Sequence, residues 1–427
     1  MILRFLKKIL QNQLFKVASL SSFSILIRLI TGFVSSKSIA HFIGPAGMGL
    51  TGNLRNFGSL LESIGTLGLQ NGVVQFVAKN HQKKEKLATF VYFIFWILLA
   101  SSLLISLVLI FGNSFFGKIL FNSYSEYNTV LYFVAAILPF QVMHLFFIAI
   151  LNGFSFYKKV TYISIIGNIC GLFISLLLII NYNIYGALVS IAFSSLFLFV
   201  FSAYYFFKLF SLTTFFKKHS FDFLFIKEII PVGSMTIFAA IFSPLVSIYI
   251  RNIINLESGA EAMGFYEAMQ RIAGFYFLFI STLTSFYFFP ELIKSQTLGQ
   301  KNKMTFKFYK QVVPFFGLLL IVLYIAKDLV VQLLLAPSFY QVRTLFGWQL
   351  IGDFFRASSL ILGLRFFAMK NVKGFLITES ISLLISVLSA TLFISYYKLE
   401  GAVMAHAFTY VFYFFMLLFY FRKELCR

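Results

Sequence analysis

The sequence of 427 residues has little of what builds enzyme active sites. It contains 14 acidic residues, five histidines and two cysteines, and 11% of its residues are charged. Cys170 falls in an apolar run and Cys426 in the basic tail, so we predict no disulfide between them. No group of His, Cys and Glu has the spacing of a metal site, and no nucleotide-binding motif occurs. The sequence therefore predicts a protein that is not an enzyme, with no catalytic residue, metal or cofactor.

Apolar residues dominate the chain. Hydrophobic residues make up 60% of it, and the mean hydropathy is +0.89, which predicts a polytopic membrane protein. The net charge is +21. Most lysines and arginines lie in short loops, where they set membrane orientation, so we predict no nucleic-acid partner. The basic N-terminus precedes an apolar stretch that is too long for a signal peptide, which makes this stretch the first spanning helix.

Twelve apolar stretches are long enough to cross a bilayer, at ~20 residues for each crossing. Because lipid leaves a spanning backbone few alternatives to helix, the predicted fold class is all-α with twelve transmembrane helices. The predicted spans are 17–43, 51–78, 87–111, 128–151, 160–180, 184–207, 229–253, 264–289, 311–335, 344–369, 374–396 and 401–421.

The distribution of basic residues predicts the orientation of these helices. The N-terminus, the C-terminal tail and every second loop are basic, while the alternate loops hold few cations. By the positive-inside rule both termini are cytoplasmic, and the turn 44–49 faces outward.

The chain also repeats itself with an offset of 215 residues. Gly186-Ala187 matches Gly401-Ala402, and Gly49 matches Gly264. Each half holds six predicted helices, as in transporters with parallel repeats. We predict a first six-helix bundle over 1–207, a cytoplasmic linker over 208–228 and a second bundle over 229–427.

Charged residues inside the apolar stretches concentrate in the first helical hairpin. Arg28, Lys37, Arg55 and Glu62 all lie there. Each charge near the bilayer centre costs roughly 2.5–3.5 kcal/mol on insertion scales, so an anionic ligand or a water-filled cavity is expected to offset the cost. Two structural alternatives stay open: Arg28 could pair with Glu62, and Lys37 could extend to the outer surface.

Two later helices carry charges as well. Glu267 and Arg271 are four residues apart and could neutralise each other, and Asp353 and Arg356 are three apart. Arg365 is expected to extend to the cytoplasmic surface, and Glu379 to pair with Lys370 or Lys373. The predicted substrate-binding cations are Arg28, Lys37, Arg55, Arg271 and Arg356.

Cations outnumber acids among these residues, which favours an anionic substrate, and guanidinium groups bind phosphate through two hydrogen bonds. The acids could pair with the cations or carry protons. Glu62, Asp353 and Glu267 are the ion-coupling candidates, with H⁺ or Na⁺ as the ion.

Two motifs resemble a known family. The stretch from Gly44 to Leu50, followed by Asn53-Leu54-Arg55 and later Asn71-Gly72-Val73, resembles the first hairpin of Wzx-type polysaccharide flippases, in particular the branch serving enterobacterial common antigen. The segment from Leu345 to Asp353 resembles the same proteins, and the resemblance spans the chain in length and helix number.

This resemblance implies the multidrug/oligosaccharidyl-lipid/polysaccharide exporter (MOP) fold, with two six-helix bundles around a central cavity. It implies translocation of an undecaprenyl-diphosphate-linked oligosaccharide, such as an O-antigen repeat unit, to the outer leaflet of the bacterial inner membrane. The implied partners are this glycolipid, membrane lipid, and the polymerase and chain-length regulator of the same pathway. Arg28, Lys37 and Arg55 match basic positions of the family's first hairpin.

Three other functions compete with this one. A drug exporter of the same fold often carries organic cations, which favour a cavity with net acidic charge. The cationic surplus in this sequence argues against that function. A membrane-embedded polysaccharide polymerase is typically marked by a sizeable outward loop, which this chain lacks. A peptidoglycan-precursor flippase usually has extra C-terminal helices, whereas the last helix predicted for this sequence is the twelfth.

Overall fold

The computed structural model describes residues 13–80, 82–121, 124–209, 224–295 and 297–425. Every regular element in these ranges is helical, which confirms the predicted all-α fold class. Several sequence features lie outside the described residues. They are the basic residues Arg4, Lys7 and Lys8, most of the predicted linker (210–223), Cys426 and Arg427.

The described residues of the first part of the chain form seven α-helices. They are α1 (Gln13–Phe42), α2 (Gly44–Gly65), α3 (Gln70–Asn80), α4 (Lys84–Phe111), α5 (Asn113–Phe121), α6 (Val130–Gly153) and α7 (Tyr157–Leu209). A 3₁₀ turn, Ser125–Thr129, precedes α6.

In the second part, the residues that the structure describes form six more. They are α8 (Leu224–Leu283), α9 (Phe289–Lys294), α10 (Leu298–Ile325), α11 (Lys327–Leu334), α12 (Phe346–Met369) and α13 (Val372–Leu425). A π-helical turn, Thr284–Phe288, joins α8 to α9, and a 3₁₀ segment, Pro337–Leu345, precedes α12.

Seven helical segments of the described chain are long and apolar enough to cross a membrane. Those within α7, α8 and α13 cover 53, 51 and 54 residues, more than twice the ~20 that one crossing needs. Each contains one residue outside helical geometry: Asn183, Gly259 and Lys398 respectively. Each is therefore two helices joined at a kink. The chain is a multi-pass membrane protein, and the number of twelve crossings stays a prediction.

The glycine-rich stretch after Ile43 differs from the expected turn. Gly44 alone makes the turn, with a φ of 67°, and the residues after it are already the first turns of α2. The reason is close packing. A Cβ on Gly264 would overlap the carbonyl oxygen of Pro45, and one on Gly49 would stand 2.6 Å from Cε of Met263. These glycines let α2 and the second part of α8 approach at backbone distance.

The second helix of the predicted hairpin is also interrupted. The span expected over 51–78 divides into α2 and α3, because Leu67 and Gly68 take positive φ values of 50° and 59°. By contrast α1 runs through Gly32 as one helix.

The internal repeat is visible in the backbone. Residues with positive φ occur in pairs 215 positions apart: Gly44 and Gly259, Ser155 and Lys370, Asn183 and Lys398. The last pair has nearly identical geometry, with φ of 49° and 53° and ψ of −127° and −130°. Non-glycine residues rarely adopt positive φ, so a shared set of such positions shows that the two halves fold in the same way.

The chain folds into two compact units. Unit 1 comprises Met1–Ser38 and Gly58–Gly233, and unit 2 comprises Ile39–Phe57 and Ser234–Arg427. Among the segments of unit 1 that could cross a membrane, the one containing α6 is the most buried: 67% of the residues in its most apolar stretch lie inside the protein. In unit 2 large residues of α12, among them Phe346, Ile361 and Phe366, are fully buried. The predicted limits of the two bundles and the linker stay a prediction.

Candidate functional site

A carboxylate with three arginines around it lies inside unit 2. Glu267, in the second part of α8, is buried, and its side chain accepts hydrogen bonds from Arg251, before the Gly259 kink, and from Arg271, after it. Nε and Nη2 of Arg251 lie 3.1 and 2.6 Å from Oε2, and Nε of Arg271 lies 3.0 Å from Oε1. The third arginine, Arg55 of α2, reaches Oε1 with Nη1 at 3.3 Å. We call this group the Glu267 cluster.

The start of α2 is shaped to fit this cluster. A Cβ on Gly52 would overlap Oε2 of Glu267, so only glycine leaves room for the carboxylate. One residue earlier, Thr51 accepts a hydrogen bond from Nη2 of Arg271 at 2.9 Å. Arg251 also donates to the carbonyl of Ser247 at 3.1 Å. The guanidinium groups of Arg251 and Arg271 are thus held in place by protein partners.

The cluster carries an excess of positive charge. One carboxylate faces three guanidinium groups, which leaves two positive charges without an acidic partner in the cluster. The side chains of Arg251 and Arg271 are 6% and 5% exposed, whereas that of Arg55 is 47% exposed. Arg55 is therefore the member that an anion can reach, and its guanidinium can bind a phosphate group with two hydrogen bonds.

A second polar group, the Asp353 cluster, lies in α12 of the same unit. Asp353 is fully buried, and its carboxylate accepts hydrogen bonds from the hydroxyl of Tyr276 and from Nε2 of Gln349, the latter at 2.9 Å. Nε2 of His406 lies 3.1 Å from Oδ1. Arg356 is farther, with Nη1 at 3.7 Å. The predicted pairs Glu267 with Arg271 and Asp353 with Arg356 are both present.

A glutamine pair extends the Asp353 cluster towards α8. Gln270, three residues after Glu267 in α8, donates to Oε1 of Gln349 at 3.1 Å, and Gln349 in turn donates to Asp353. Arg356 is partly exposed and stacks on Phe277, with Cζ 4.1 Å from the ring centre. Buried carboxylates that have several donors and a neighbouring histidine can exchange a proton or bind a cation.

The predicted site residues of unit 1 are arranged differently. Arg28 and Lys37 are exposed side chains on α1, and neither has an ion pair within the described ranges. Glu62 accepts a hydrogen bond from Nε2 of Gln141 in α6. The alternative that Arg28 pairs with Glu62 is therefore not what the structure contains.

Two expectations about helix-end charges are wrong. Arg365 does not extend to the surface: it is fully buried, and Nη2 lies 3.0 Å from Oε2 of Glu424 while Nη1 lies 2.9 Å from Oδ1 of Asn302. Glu379 accepts a hydrogen bond from Tyr413 at 3.2 Å, and the ion pairs of the described chain do not join it to Lys370 or Lys373. Both charges have partners inside unit 2 because polar side chains reach them there, although Nε of Arg365 has no hydrogen-bond partner.

Several members of these clusters do not stand out in the sequence. Arg251 stands at the edge of its predicted span, where it resembles an ordinary loop-end cation, and Gln141 has no pattern that marks it. Gln349 lies within the motif Leu345 to Asp353, so its presence there is a usable signal. His406 is one of five histidines in the chain and lies in an apolar helix, which is a weak signal by itself.

The fold is shared with solved transporters. An inward-facing multidrug resistance MATE family transporter of the MOP superfamily superposes with a TM-score of 0.72 at 15% identity, over 94% of this chain and 95% of that one. The lipid II flippase MurJ, in an inward closed conformation, superposes with a TM-score of 0.71 at 14% identity, over 96% and 89% of the two chains. The chain therefore has the fold of the MATE transporters and MurJ, which confirms the fold that the resemblance implies, while the two six-helix bundles around a central cavity stay a prediction.

Sequence similarity is consistent with this fold. The lipid III flippase of Escherichia coli (strain K12) is 23% identical over 394 residues, which cover 92% of this chain and 94% of that protein. The same name and figures hold for the Shigella flexneri protein. Residues 14–296 match the family described as polysaccharide biosynthesis protein. The chain belongs to this family.

Proposed function

We propose that this protein is a flippase that moves an undecaprenyl-diphosphate-linked oligosaccharide, an O-antigen or related repeat unit, from the cytoplasmic to the outer leaflet of the bacterial inner membrane. It works as a transporter by alternating access and not as an enzyme. The observation that carries the proposal is the excess of cations in the Glu267 cluster, with Arg55 half exposed beside two buried arginines.

The chemistry of the substrate fits this excess. A diphosphate linkage is anionic, and guanidinium groups in a low-dielectric setting attract it more strongly than in water. An organic cation would be repelled by the same cluster, so a drug exporter is disfavoured. Relatives add support at full length, because the chain matches 94% of a protein named lipid III flippase.

The exposed cations of α1 fit the same substrate. Arg28 and Lys37 lie within the apolar window Ser24–Phe42 and have no acidic partner in the described part of the chain. A charge at such a depth is costly in lipid, so a polar or anionic neighbour during transport would offset the cost. We assign Arg28, Lys37, Arg55, Arg271 and Arg356 to substrate binding, with Arg271 acting mainly by holding Glu267.

Coupling to an ion gradient completes the proposal. Net movement of a polar head in one direction requires a source of free energy, and we assign the binding of H⁺ or Na⁺ to Asp353, Glu62 and Glu267, which are buried or partly buried. Asp353 is the strongest candidate, since His406 and Tyr276 contact its carboxylate. The polymerase and chain-length regulator of the pathway would then receive the product in the outer leaflet.

Transport in reconstituted vesicles tests the proposal. The purified protein is placed in vesicles that contain a fluorescent undecaprenyl-diphosphate oligosaccharide, and the fraction of headgroups that a sugar-oxidising reagent reaches is followed over time. We expect faster exchange with protein than without, and net accumulation only with a proton or sodium gradient. If the vesicles take up an organic cation such as rhodamine 6G and the glycolipid does not move, the flippase proposal is wrong and the protein is a drug exporter.

A further inference from the structure

A cavity of about 240 Å³ lies in unit 2, and none of its lining residues belongs to the Glu267 or Asp353 clusters. It is formed where α10 ends, α11 begins and α12 starts, and where α13 continues after its kink. Its polar and aromatic lining residues are Tyr324, Lys327, Arg343, Thr344, Trp348 and Glu400. Nothing in the proposed translocation step uses these residues.

Two aromatic side chains, Trp348 and Tyr324, line this cavity. The side chain of Trp348 is 44% exposed, and no ring contact within the described residues covers its indole. The other ring is occupied, because Nζ of Lys327 lies 4.5 Å from the ring centre of Tyr324. This cation–π contact holds the ammonium group at the cavity wall. Gly347 adds space: a Cβ there would stand 3.9 Å from the Tyr324 ring.

The charges around the cavity balance. Lys327 and Arg343 are cations, Glu400 is an exposed acid, and Asp328 lies 3.9 Å from Arg343. The Glu267 cluster, by contrast, has two cations in excess. A balanced ring of donors and acceptors beside an exposed tryptophan fits a neutral ligand with many hydroxyl groups, because hydroxyls donate to carboxylates and accept from ammonium and guanidinium groups.

A sugar ring has this chemistry. Its hydroxyl groups lie around the edge, while its C–H groups form an apolar face that packs on an aromatic ring. The cavity is smaller than the ~300–1,000 Å³ typical of drug-sized ligands, so it accommodates a single ring and not a whole oligosaccharide.

We propose that this cavity is a saccharide subsite, separate from the cationic residues assigned to the diphosphate. Its position supports a role at delivery. Glu400 follows the kink at Lys398, whose Nζ pairs with Glu257 at 2.7 Å near the Gly259 kink, and both kinks belong to turns predicted to face outward. The subsite deepens the proposed function and rests on it for the supply of its ligand: it would hold one sugar of the repeat unit on the outer side.

A phospholipid headgroup is the competing occupant, because Trp, Tyr and Lys are common at membrane interfaces. Glu400 argues against it. An exposed carboxylate in the cavity wall repels a phosphate group, whereas it accepts hydrogen bonds from a pair of sugar hydroxyls.

The chain offers a specific reporter for this site. It contains two tryptophans, Trp96 and Trp348, so Trp96→Phe leaves Trp348 as the single tryptophan, whose emission can be excited at wavelengths where tyrosine does not absorb. In the purified full-length Trp96→Phe protein we expect a saturable change in emission when N-acetylglucosamine or its disaccharide is added. Sodium phosphate and soluble short-chain phosphatidylglycerol should give no such change.

Substitutions in the cavity should remove the response. We expect Glu400→Gln and Lys327→Gln each to weaken binding about tenfold or more, as for loss of a hydrogen bond to a charged group. Gly347→Leu should block the cavity while it leaves every charge in place. Two controls complete the set. Lys398→Gln, which lies at the same end but does not line the cavity, should retain the response, and Trp348→Phe, which leaves Trp96 as reporter, should give none.

The proposal is overturned if neither sugar changes the emission of Trp348, if phosphate or phosphatidylglycerol alone does so, or if the sugar response survives both Glu400→Gln and Lys327→Gln. The readout is binding and not transport. Failure of the vesicle assay with an intact sugar response would therefore count against the flippase proposal alone, and the reverse result against the subsite alone.

Discussion

Glu267 lies against Gly52, its own counterpart in the internal repeat. The two residues are 215 positions apart, and a Cβ on Gly52 would overlap Oε2 of Glu267. The neighbouring pair, Gly49 and Gly264, also meets at this crossing, with 3.1 Å between the position of a Gly49 Cβ and the backbone nitrogen of Gly264. The two copies of the repeat therefore carry different residues at this position: Glu267 supplies the carboxylate, and Gly52 leaves the space for it.

Gly52→Ala should destabilise the protein, since a methyl group there overlaps the carboxylate that holds three arginines. Overpacking of this kind typically costs about 1–3 kcal/mol. Gly58→Ala on the same helix is the matched control, because a Cβ there has nothing within 4 Å. Alanine at that position should be neutral or raise stability by up to ~1 kcal/mol through helix propensity. Thermal unfolding of both variants in detergent, followed by circular dichroism, checks the difference, and equal melting temperatures would contradict it.

Glu267→Gln should be strongly destabilising. It leaves the buried guanidinium groups of Arg251 and Arg271 without a counter-charge, and breaking a buried ion pair in this way costs about 3–5 kcal/mol. The control is Glu291→Gln, which removes an exposed pair with Lys294 of similar length, 3.0 Å. Exposed ion pairs contribute about 0–1 kcal/mol to the free energy of unfolding, so the melting temperature of this variant should be close to that of the wild type. Equal melting temperatures for Glu267→Gln and Glu291→Gln would show that the Glu267 cluster does not stabilise the fold.

The fold class, the repeat and both ion pairs could be predicted from the sequence because apolar length, constant offset and helical spacing are local properties. Glu267 with Arg271 and Asp353 with Arg356 follow from residues three or four apart on one helix. Partners such as His406, which contacts Asp353, could not be predicted because they are distant in sequence and lie on other helices. The prediction for Arg365 failed for the same reason: depth along a helix is readable from sequence, but the neighbour at that depth is not.

Arg55→Ala should impair transport with little effect on folding. Its side chain is half exposed and its contact with Glu267 is the longest of the three, so its loss leaves the buried pairs intact. We expect glycolipid affinity to fall about ten- to hundredfold, the loss of one charge-assisted hydrogen bond. Arg55→Lys should retain part of the affinity, because the charge remains but the two-pronged geometry does not. Unchanged transport in Arg55→Ala vesicles would remove this residue from the binding site.

Asp353→Asn should uncouple transport from the ion gradient. The carboxylate accepts from Tyr276 and Gln349 and contacts His406, and an amide cannot take up or release a proton there. We expect glycolipid binding to stay measurable while accumulation against a gradient is lost. Glu62→Gln tests the other candidate acid in the same assay, and Glu291→Gln, which removes an exposed pair with Lys294, is the control. Accumulation that persists in both Asp353→Asn and Glu62→Gln would remove these two acids as coupling residues.

Arg28 gives the clearest separation between a binding role and a structural role. Arg28→Ala should abolish transport and still insert and fold, because removal of a charge from the membrane relieves an insertion cost. Arg28→Lys should retain part of the activity. The double variant Arg28→Ala/Glu62→Gln should stay inactive, because Glu62 bonds to Gln141 and not to Arg28. Complementation of a flippase-deficient strain and build-up of glycolipid in the inner leaflet are the measurements. Recovery of transport in the double variant would mean that Arg28 serves to neutralise Glu62, and the substrate-binding role would have to be abandoned.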